Sequence, residues 1–389
     1  MTNNQITYKR LGDYIREVNV RNRELKVANL LGVSVEKNFF PSIANTIGTD
    51  MSNYKIVCKR QFVYIADTSR RGDKIAVALL EDCDEAIISQ AYTVFEVVDC
   101  EKLLPEYLMM WFRRPEFDRY ARFHSHGSAR EVFDWDELCD VQLPVPSIER
   151  QREIVSEYET LTRRIRLNEQ MIEKLEATAQ ALYRKTFVDN IDKQNLPQGW
   201  HLAPLGEVGE IVSGATPKTE IPEYWSDNNE GVAWISPADL SKQKSLYIAR
   251  GNKSITKAGY KSCSTKMLPT GSILFSSRAP IGLMAIAANE VCTNQGFKSI
   301  VLKEDYMREY LYMTLQNEKD IIAGEGSGST FDEISAQTFK NYTITLPSNE
   351  VMLVFHKQVE PIFHAIFLKQ QENIKLTELQ SLLLSRIWK

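Results

Sequence analysis

"IERQREIVSEYETLTRRIRLNEQMIEKLEATAQALYRK", Ile148–Lys185, carries apolar residues at helical spacing and contains neither glycine nor proline. Ile154, Tyr158, Leu161, Ile165, Asn168, Ile172, Leu175, Ala179 and Leu182 alternate steps of four and three, the spacing of a coiled-coil seam, with one polar residue at the midpoint. A helix inside a single domain seldom exceeds about 25 residues without caps. The stretch is therefore predicted to be a spacer between globular pieces.

A second copy lies downstream. "LPVPSIERQREIVSEYETLTRRIRLNEQMIEKLEATAQALYRKTF" from Leu143 aligns with "ITLPSNEVMLVFHKQVEPIFHAIFLKQQENIKLTELQSLLLSRIW" from Ile344, and Pro146-Ser147 falls on Pro347-Ser348, an offset of 201. Repeats of this length mark a duplicated unit. The second seam reads Phe355, Val359, Ile362, Ile366, Lys369, Asn373, Leu376, Gln380 and Leu383, again polar in the middle. Antiparallel packing of the two helices would match their polar centres. At about 1.5 Å per residue, such helices would hold two modules apart at opposite ends of a rod roughly 60 Å long.

The domain plan follows: a module at 1–147, a spacer helix at 148–187, a linker at 188–200, a second module at 201–347 and a second helix at 348–389. The linker includes "DNIDKQNLPQGW" (Asp189–Trp200), rich in turn formers. Upstream, "YKRLGDYI" (from Tyr8) matches "LAPLGEVG" (from Leu202), and "SQAYTVFEV" (from Ser89) matches "NQGFKSIVL" (from Asn294), with offsets that drift through loop insertions. "QFVYIADTSRRGDKIAVAL", "SILFSSRAPIGLMAIA", "AYTVFEVV" and "KSIVLK" have β-branched and aromatic runs bounded by turn residues and are predicted to be strands. "EYLMMWFRRPEFDRYAR" and "MREYLYMTLQNEKDIIAG" have helical period. The fold class is α+β, two tandem mixed modules with two long antiparallel helices and a pseudo-twofold internal repeat. Each module also has a glycine-serine turn, "HGSAREVF" and "GSGSTFDEI", where Ser128 with Glu131 and Thr330 with Glu333 fit a helix capping box.

Composition bounds the function. With 389 residues and 43% apolar content the chain can build two cores. A basic apolar leader, an uncharged apolar run of membrane length and a lipidation signature are all missing, so a cytoplasmic protein without a membrane partner is expected. The six cysteines lack metal-ligand spacing and are expected to be reduced. Net charge of −4 excludes a uniformly basic coat, so a nucleic-acid role requires charge segregated onto local faces.

The order module, helix, module, helix, together with "WHLAPLGEVGEIVSGATP", "SILFSSRAPIG", "CTNQGFKSIV", "GSGSTFDEI" and "LPVPSIERQREIV", resembles the specificity (S) subunits of type I restriction-modification systems over essentially the whole chain. The resemblance implies that each module is a target recognition domain reading one half of a bipartite, asymmetric double-stranded DNA sequence. It further implies that the helices are spacers binding two methyltransferase (M) subunits, and that restriction (R) subunits join the complex. The chain departs from the pattern at Met352, where the first helix has Gln151, so a methyltransferase contact at the first position need not recur at the second.

Charge supports DNA contact independently of the resemblance. Between Leu240 and Asn289 stand Lys242, Lys244, Arg250, Lys253, Lys257, Lys261, Lys266 and Arg278, with no Asp or Glu. The first module offers Lys55, Lys59, Arg60, Arg70, Arg71 and Lys74, interleaved with two aspartates, and Arg70 or Arg71 is expected at about the place of Arg278. Such residues suit phosphate contact, with one or two arginines reaching guanine edges. The bland alternative is a solvated lysine-rich loop.

Catalytic readings find little support. "GEGSGST" lacks the ending of a phosphate-binding loop and follows a helix. His124 and His126 have no third ligand at suggestive spacing, and are expected to line a DNA-facing loop or the surface. "EDCDEA" (from Glu81) is too isolated for a nuclease centre and reads as a solvated turn. A methyltransferase would need a glycine-rich cofactor loop and a base-flipping tetrapeptide, which are not found. The chain is thus expected to be non-catalytic and without cofactor. The competing reading is a coiled-coil scaffold with two protein-binding modules and no DNA specificity.

Overall fold

The spacer sequences form two uninterrupted helices, Ile148–Phe187 and Asn349–Arg386, of 40 and 38 residues. The structure, a computed structural model, describes residues 8–42, 48–68, 72, 74–127, 131–189, 191–192, 194–226, 230–243, 245–326 and 333–387. It divides into two compact units, one of Met1–Arg164 with Leu376–Lys389 and one of Ile165–Lys375. Both long helices contribute to each unit.

In the first unit, the strands Ile15–Val18, Thr93–Val97, Phe62–Ile65 and Ala76–Leu79 form an antiparallel sheet in that spatial order. Its helix-covered face is aromatic: Phe62 stacks on Phe95 with centroids 4.8 Å apart, and Phe112 meets Phe62 edge-on at 5.9 Å. The segment expected to be one helix is two, Pro105–Phe112 and Pro115–Phe123. Arg114 is extended, at φ −73° and ψ 136°, because the ring of the following proline disfavours helical geometry there. Ile154, Val155 and Tyr158 from the first long helix and Leu384 from the second complete this core.

The second unit repeats the frame. Gly209–Ser213, Lys298–Leu302, Ile273–Phe275 and Met284–Ala287 follow the same spatial order and are antiparallel, and Tyr247–Ile248 is added in parallel at the edge. A second sheet is formed by Trp225–Ser226, Lys253–Ile255, Val232–Ile235 and Cys292–Thr293; in the first module the pairs Leu31–Val33 with Phe39–Pro41 and Lys55–Cys58 with Glu85–Ile88 are linked by a parallel bridge from Leu30 to Ile87. Ala179, Tyr183 and Phe187 pack in one cluster with Phe355, Val359, Phe363 and Ile366. Here the helices run antiparallel, since Asn168 meets Asn373 whereas Tyr183 meets Phe355.

Matching hydrogen bonds carry the repeat into the packing. Tyr107 Oη donates to the Pro144 carbonyl, and Tyr310 Oη to that of Thr345. Leu11 N–H donates to Val141 O at 2.8 Å, and Leu205 N–H to Tyr342 O at 2.9 Å. The helices Trp135–Asp140 and Ala336–Asn341 are capped by Asp134 and Ser335, each accepting an N–H at 3.0 Å. The expected caps, Ser128 and Thr330, lie outside the described residues. Glu131 instead pairs with Arg122, and Glu333 with Arg278.

The seam shifts by one residue toward its ends. Ile154, Asn168, Phe355 and Ile366 are buried as expected, and Leu161, Ile165, Ile172, Leu175 and Leu376 are half-buried. Tyr183, Phe363 and Leu384 are buried where Leu182, Ile362 and Leu383 were expected to be, and those three are only half-buried. A straight helix drifts by about 20° per heptad from a strict seven-residue repeat, and the helix ends must also face the cores of the modules. Lys369 is half-buried, its ammonium 2.9 Å from Glu372, and the polar partner of Asn168 is Asn373. Gln151 and Met352 are both fully buried, so this position serves internal packing and offers no surface to a partner. By length and composition Asn349–Arg386 could cross a membrane, with mean hydropathy 1.2 in its most apolar window, but its Phe355, Val359, Phe363 and Ile366 are spent on the helix-packed core.

Candidate nucleic-acid interface

In the second module the basic run folds around Trp225. Lys253, on the strand Lys253–Ile255, holds its ammonium 5.3 Å from the Trp225 ring, and that ring meets Trp234 edge-on at 5.1 Å. The helix Lys257–Ser262 follows, capped by Thr256 Oγ1, which accepts from Gly259 N–H at 3.1 Å. Gly259 allows this helix to sit against the turn at Tyr224: a Cβ there would stand 2.3 Å from the Tyr224 carbonyl oxygen. Lys257 and Lys261, one turn apart, are exposed. Lys253, Lys257 and Lys261 are thus grouped with a half-buried tryptophan, and aromatic faces beside cations suit phosphate and base contact.

The remaining basic residues separate. Lys242 is exposed on the helix Pro237–Gln243, and Lys244 lies outside the described residues. Arg250 is half-buried and donates to Ser254 Oγ at 3.0 Å. Lys266 pairs with Glu210 at 3.1 Å, and Arg278 with Glu333 at 3.0 Å. The acid-free run is therefore answered by acids from distant parts of the chain. Glu333 also reaches Lys298 at 3.6 Å, a lysine whose burial pushes its pKa down.

In the first module Lys55 cannot serve as a phosphate contact. Its side chain is buried from the strand Lys55–Cys58, 3.7 Å from Glu17, and desolvation holds its pKa below the usual lysine value. Arg60 is exposed but 3.3 Å from Glu106. Lys59 and Lys74 are exposed, whereas Arg70 and Arg71 lie outside the described residues. The position of Arg278 in the first module is occupied by Asp67: an antiparallel bridge joins Asp67 to Val132 where the second module joins Arg278 to Glu333.

Polar groups gather after Pro115–Phe123, where His124 and His126 were expected to line a DNA-facing loop or the surface. His124 and His126 lie 3.2 and 3.3 Å from the two oxygens of Glu137, Tyr120 stacks on His124 at 4.2 Å, and Arg122 pairs with Glu131. Phe123 beside them is 82% exposed. The "FHSH" run is the sequence signal for this surface, with an exposed aromatic where a core helix would bury one.

Comparison with known proteins places this geometry. The model of the type I restriction modification DNA specificity domain matches residues 36–177 and again 197–382. The specificity subunit of type I restriction enzyme MjaIX from Methanocaldococcus jannaschii is 39% identical over 161 residues, 41% of this chain and 37% of that subunit. The chain therefore spans well under half of that relative's length in this match. The HindI specificity subunit of Haemophilus influenzae is 25% identical over 381 residues, covering 79% of this chain and 81% of that one. A solved S subunit of a type I restriction-modification system from M. genitalium has the same fold, with TM-score 0.60 at 14% identity over 100% of this chain and 98% of that one. The chain belongs to the type I restriction-modification DNA specificity family.

Proposed function

We propose that this chain is the sequence-specific DNA-binding subunit of a type I restriction-modification complex. Residues 1–147 and 201–347 act as target recognition domains, each reading one half of a bipartite duplex target. The helices at 148–187 and 348–389, with the linker at 188–200, set the spacing and dock two methyltransferase subunits, and restriction subunits join the assembly. The observation that carries this reading is one sheet frame, with the same tyrosine and cap anchors, bearing different exposed side chains in its two copies. A duplicated frame with divergent surfaces is what two readers of unlike half-sites require.

Exposed Leu167 and Met171 on one long helix, and Leu353, Val354, Leu368, Leu379 and Leu382 on the other, supply apolar surface for the methyltransferase subunits. The chain contributes recognition and no catalysis or cofactor, and works in the cytoplasm beside the DNA it reads. A scaffold with protein-binding modules is disfavoured by its family membership.

Exchange of residues 1–147 for the first module of another family member tests the reading. Sequencing of methylated sites, made with methyltransferase partners present, is expected to show one new half-site and one unchanged. A change in both halves would count against two independent readers. Binding is also expected to weaken steeply with salt.

A further inference from the structure

Arg278 and Glu333 form an ion pair in the second module that differs from the others among the described residues. Their backbones are joined by an antiparallel bridge, so both side chains leave a fixed frame. Arg278 Nε lies 3.0 Å from Glu333 Oε2, and both side chains reach solvent, at 47% and 34% exposure. From the inside, Lys298, only 8% exposed, reaches the other carboxylate oxygen at 3.6 Å. The carboxylate is held from two directions and in turn holds the guanidinium.

We propose that Arg278 and Glu333 together read one G·C base pair of the second half-site, the arginine donating to guanine and the glutamate accepting from cytosine. This rests on the reading of the modules as DNA readers.

A guanidinium meets guanine O6 and N7 in the major groove, and a carboxylate is the partner of the cytosine N4 amino group. The two bases of one pair present those groups side by side, as Arg278 and Glu333 present theirs. A phosphate is the poorer partner, because it would bring its negative oxygens against Glu333 and offers that carboxylate no donor. With about four acceptor sites on a carboxylate, Glu333 can serve Arg278, Lys298 and cytosine together. The equivalent place in the first module carries Asp67 and Val132, an acid and an apolar residue in place of the arginine and the glutamate. That module cannot read the same base pair in the same way, so the pair belongs to one half of an asymmetric target.

The test is selection from a randomised duplex DNA library by the full chain with its methyltransferase subunits, comparing the parent with Arg278→Gln and Glu333→Gln. Glu333→Gln leaves the buried Lys298 ammonium without its anion, so the double variant Lys298→Met, Glu333→Gln is included to preserve folding. Both substitutions are expected to relax the same G·C position in one half-site by about 5- to 150-fold, the equivalent of 1–3 kcal/mol for a base contact. The other half-site and the salt dependence should stay as they were. Loss spread evenly over all sequences with a shallower salt dependence would identify a phosphate contact and overturn the proposal. So would relaxation at two different positions, or at none. If the parent complex selects no sequence, the DNA-reader assignment itself fails and takes this pair with it.

Discussion

Asn168 donates its side-chain amide to Asn373 Oδ1 at 2.8 Å, with the Asn168 side chain buried between the long helices. Replacing Asn168 with Leu removes this donor and places an apolar side chain against the Asn373 amide. We expect a loss of about 1–3 kcal/mol in denaturant unfolding. Replacing both with Leu should recover that loss or exceed it, since an apolar pair needs no hydrogen bond, and should loosen the register that the polar pair specifies. Additive losses in the double variant would show that the two amides do not act as a pair.

Gln151 joins three parts of the first unit: it accepts from Leu104 N–H at 2.9 Å and donates to the carbonyls of Lys102 and Pro146, each at 2.9 Å. Gln151→Met, which copies the buried Met352 of the second repeat, is expected to lower stability by about 2 kcal/mol or more, because stranded buried groups cost about 1–3 kcal/mol each. The reciprocal Met352→Gln should also destabilise. Thermal melting of the two variants measures both effects, and an unchanged melting point for Gln151→Met would contradict the account.

Lys37 Nζ lies 2.5 Å from Asp118 Oδ1, and the lysine side chain is 5% exposed. Asp118 also accepts from Ile75 N–H at 3.2 Å. Breaking the pair with Asp118→Asn should cost about 3 kcal/mol, the low end for a buried pair, since Asp118 keeps some access to water. Burial holds the Lys37 pKa below the ordinary 10.5, against the opposing pull of Asp118. In the window between the depressed value and 10.5 the unfolded chain therefore binds more protons than the folded one, and stability should rise with pH. Unfolding measured across that window for the parent and for Lys37→Met, Asp118→Leu should show this contribution only in the parent.

If the long helices set the spacing of the half-sites, a heptad added to each of 148–187 and 348–389 keeps the paired apolar faces in phase. Each insertion lengthens its helix by about 10 Å, close to three base pairs of duplex. Sequencing of methylated sites is expected to show a longer gap between unchanged half-sites. The same gap from a folded, active complex would remove the helices from that role.

Several features were legible because they depend on neighbours in the chain. Helical period, β-branched runs and the offset of 201 located the long helices, the hairpins Phe62–Leu79 and Ile273–Ala287, and the duplication, since each is a local pattern written in consecutive residues. The break at Arg114 was equally local, and the proline beside it was the sign. Tertiary structure decided the rest. Whether Leu182 or Tyr183 faces inward depends on where a 3.6-residue helix has drifted by the time it meets a core. Lys55 turns inward because its strand needs a buried side chain there, although its sequence neighbourhood is as basic as that of the exposed Lys59. Glu210 and Glu333 approach Lys266 and Arg278 from 56 and 55 residues away in the chain, so a linear charge count could not see them. The equivalence of Asp67 with Arg278 likewise rests on strand bridges. Pairing across a sheet follows backbone hydrogen bonds between distant segments, and loops of unequal length erase it from the linear alignment.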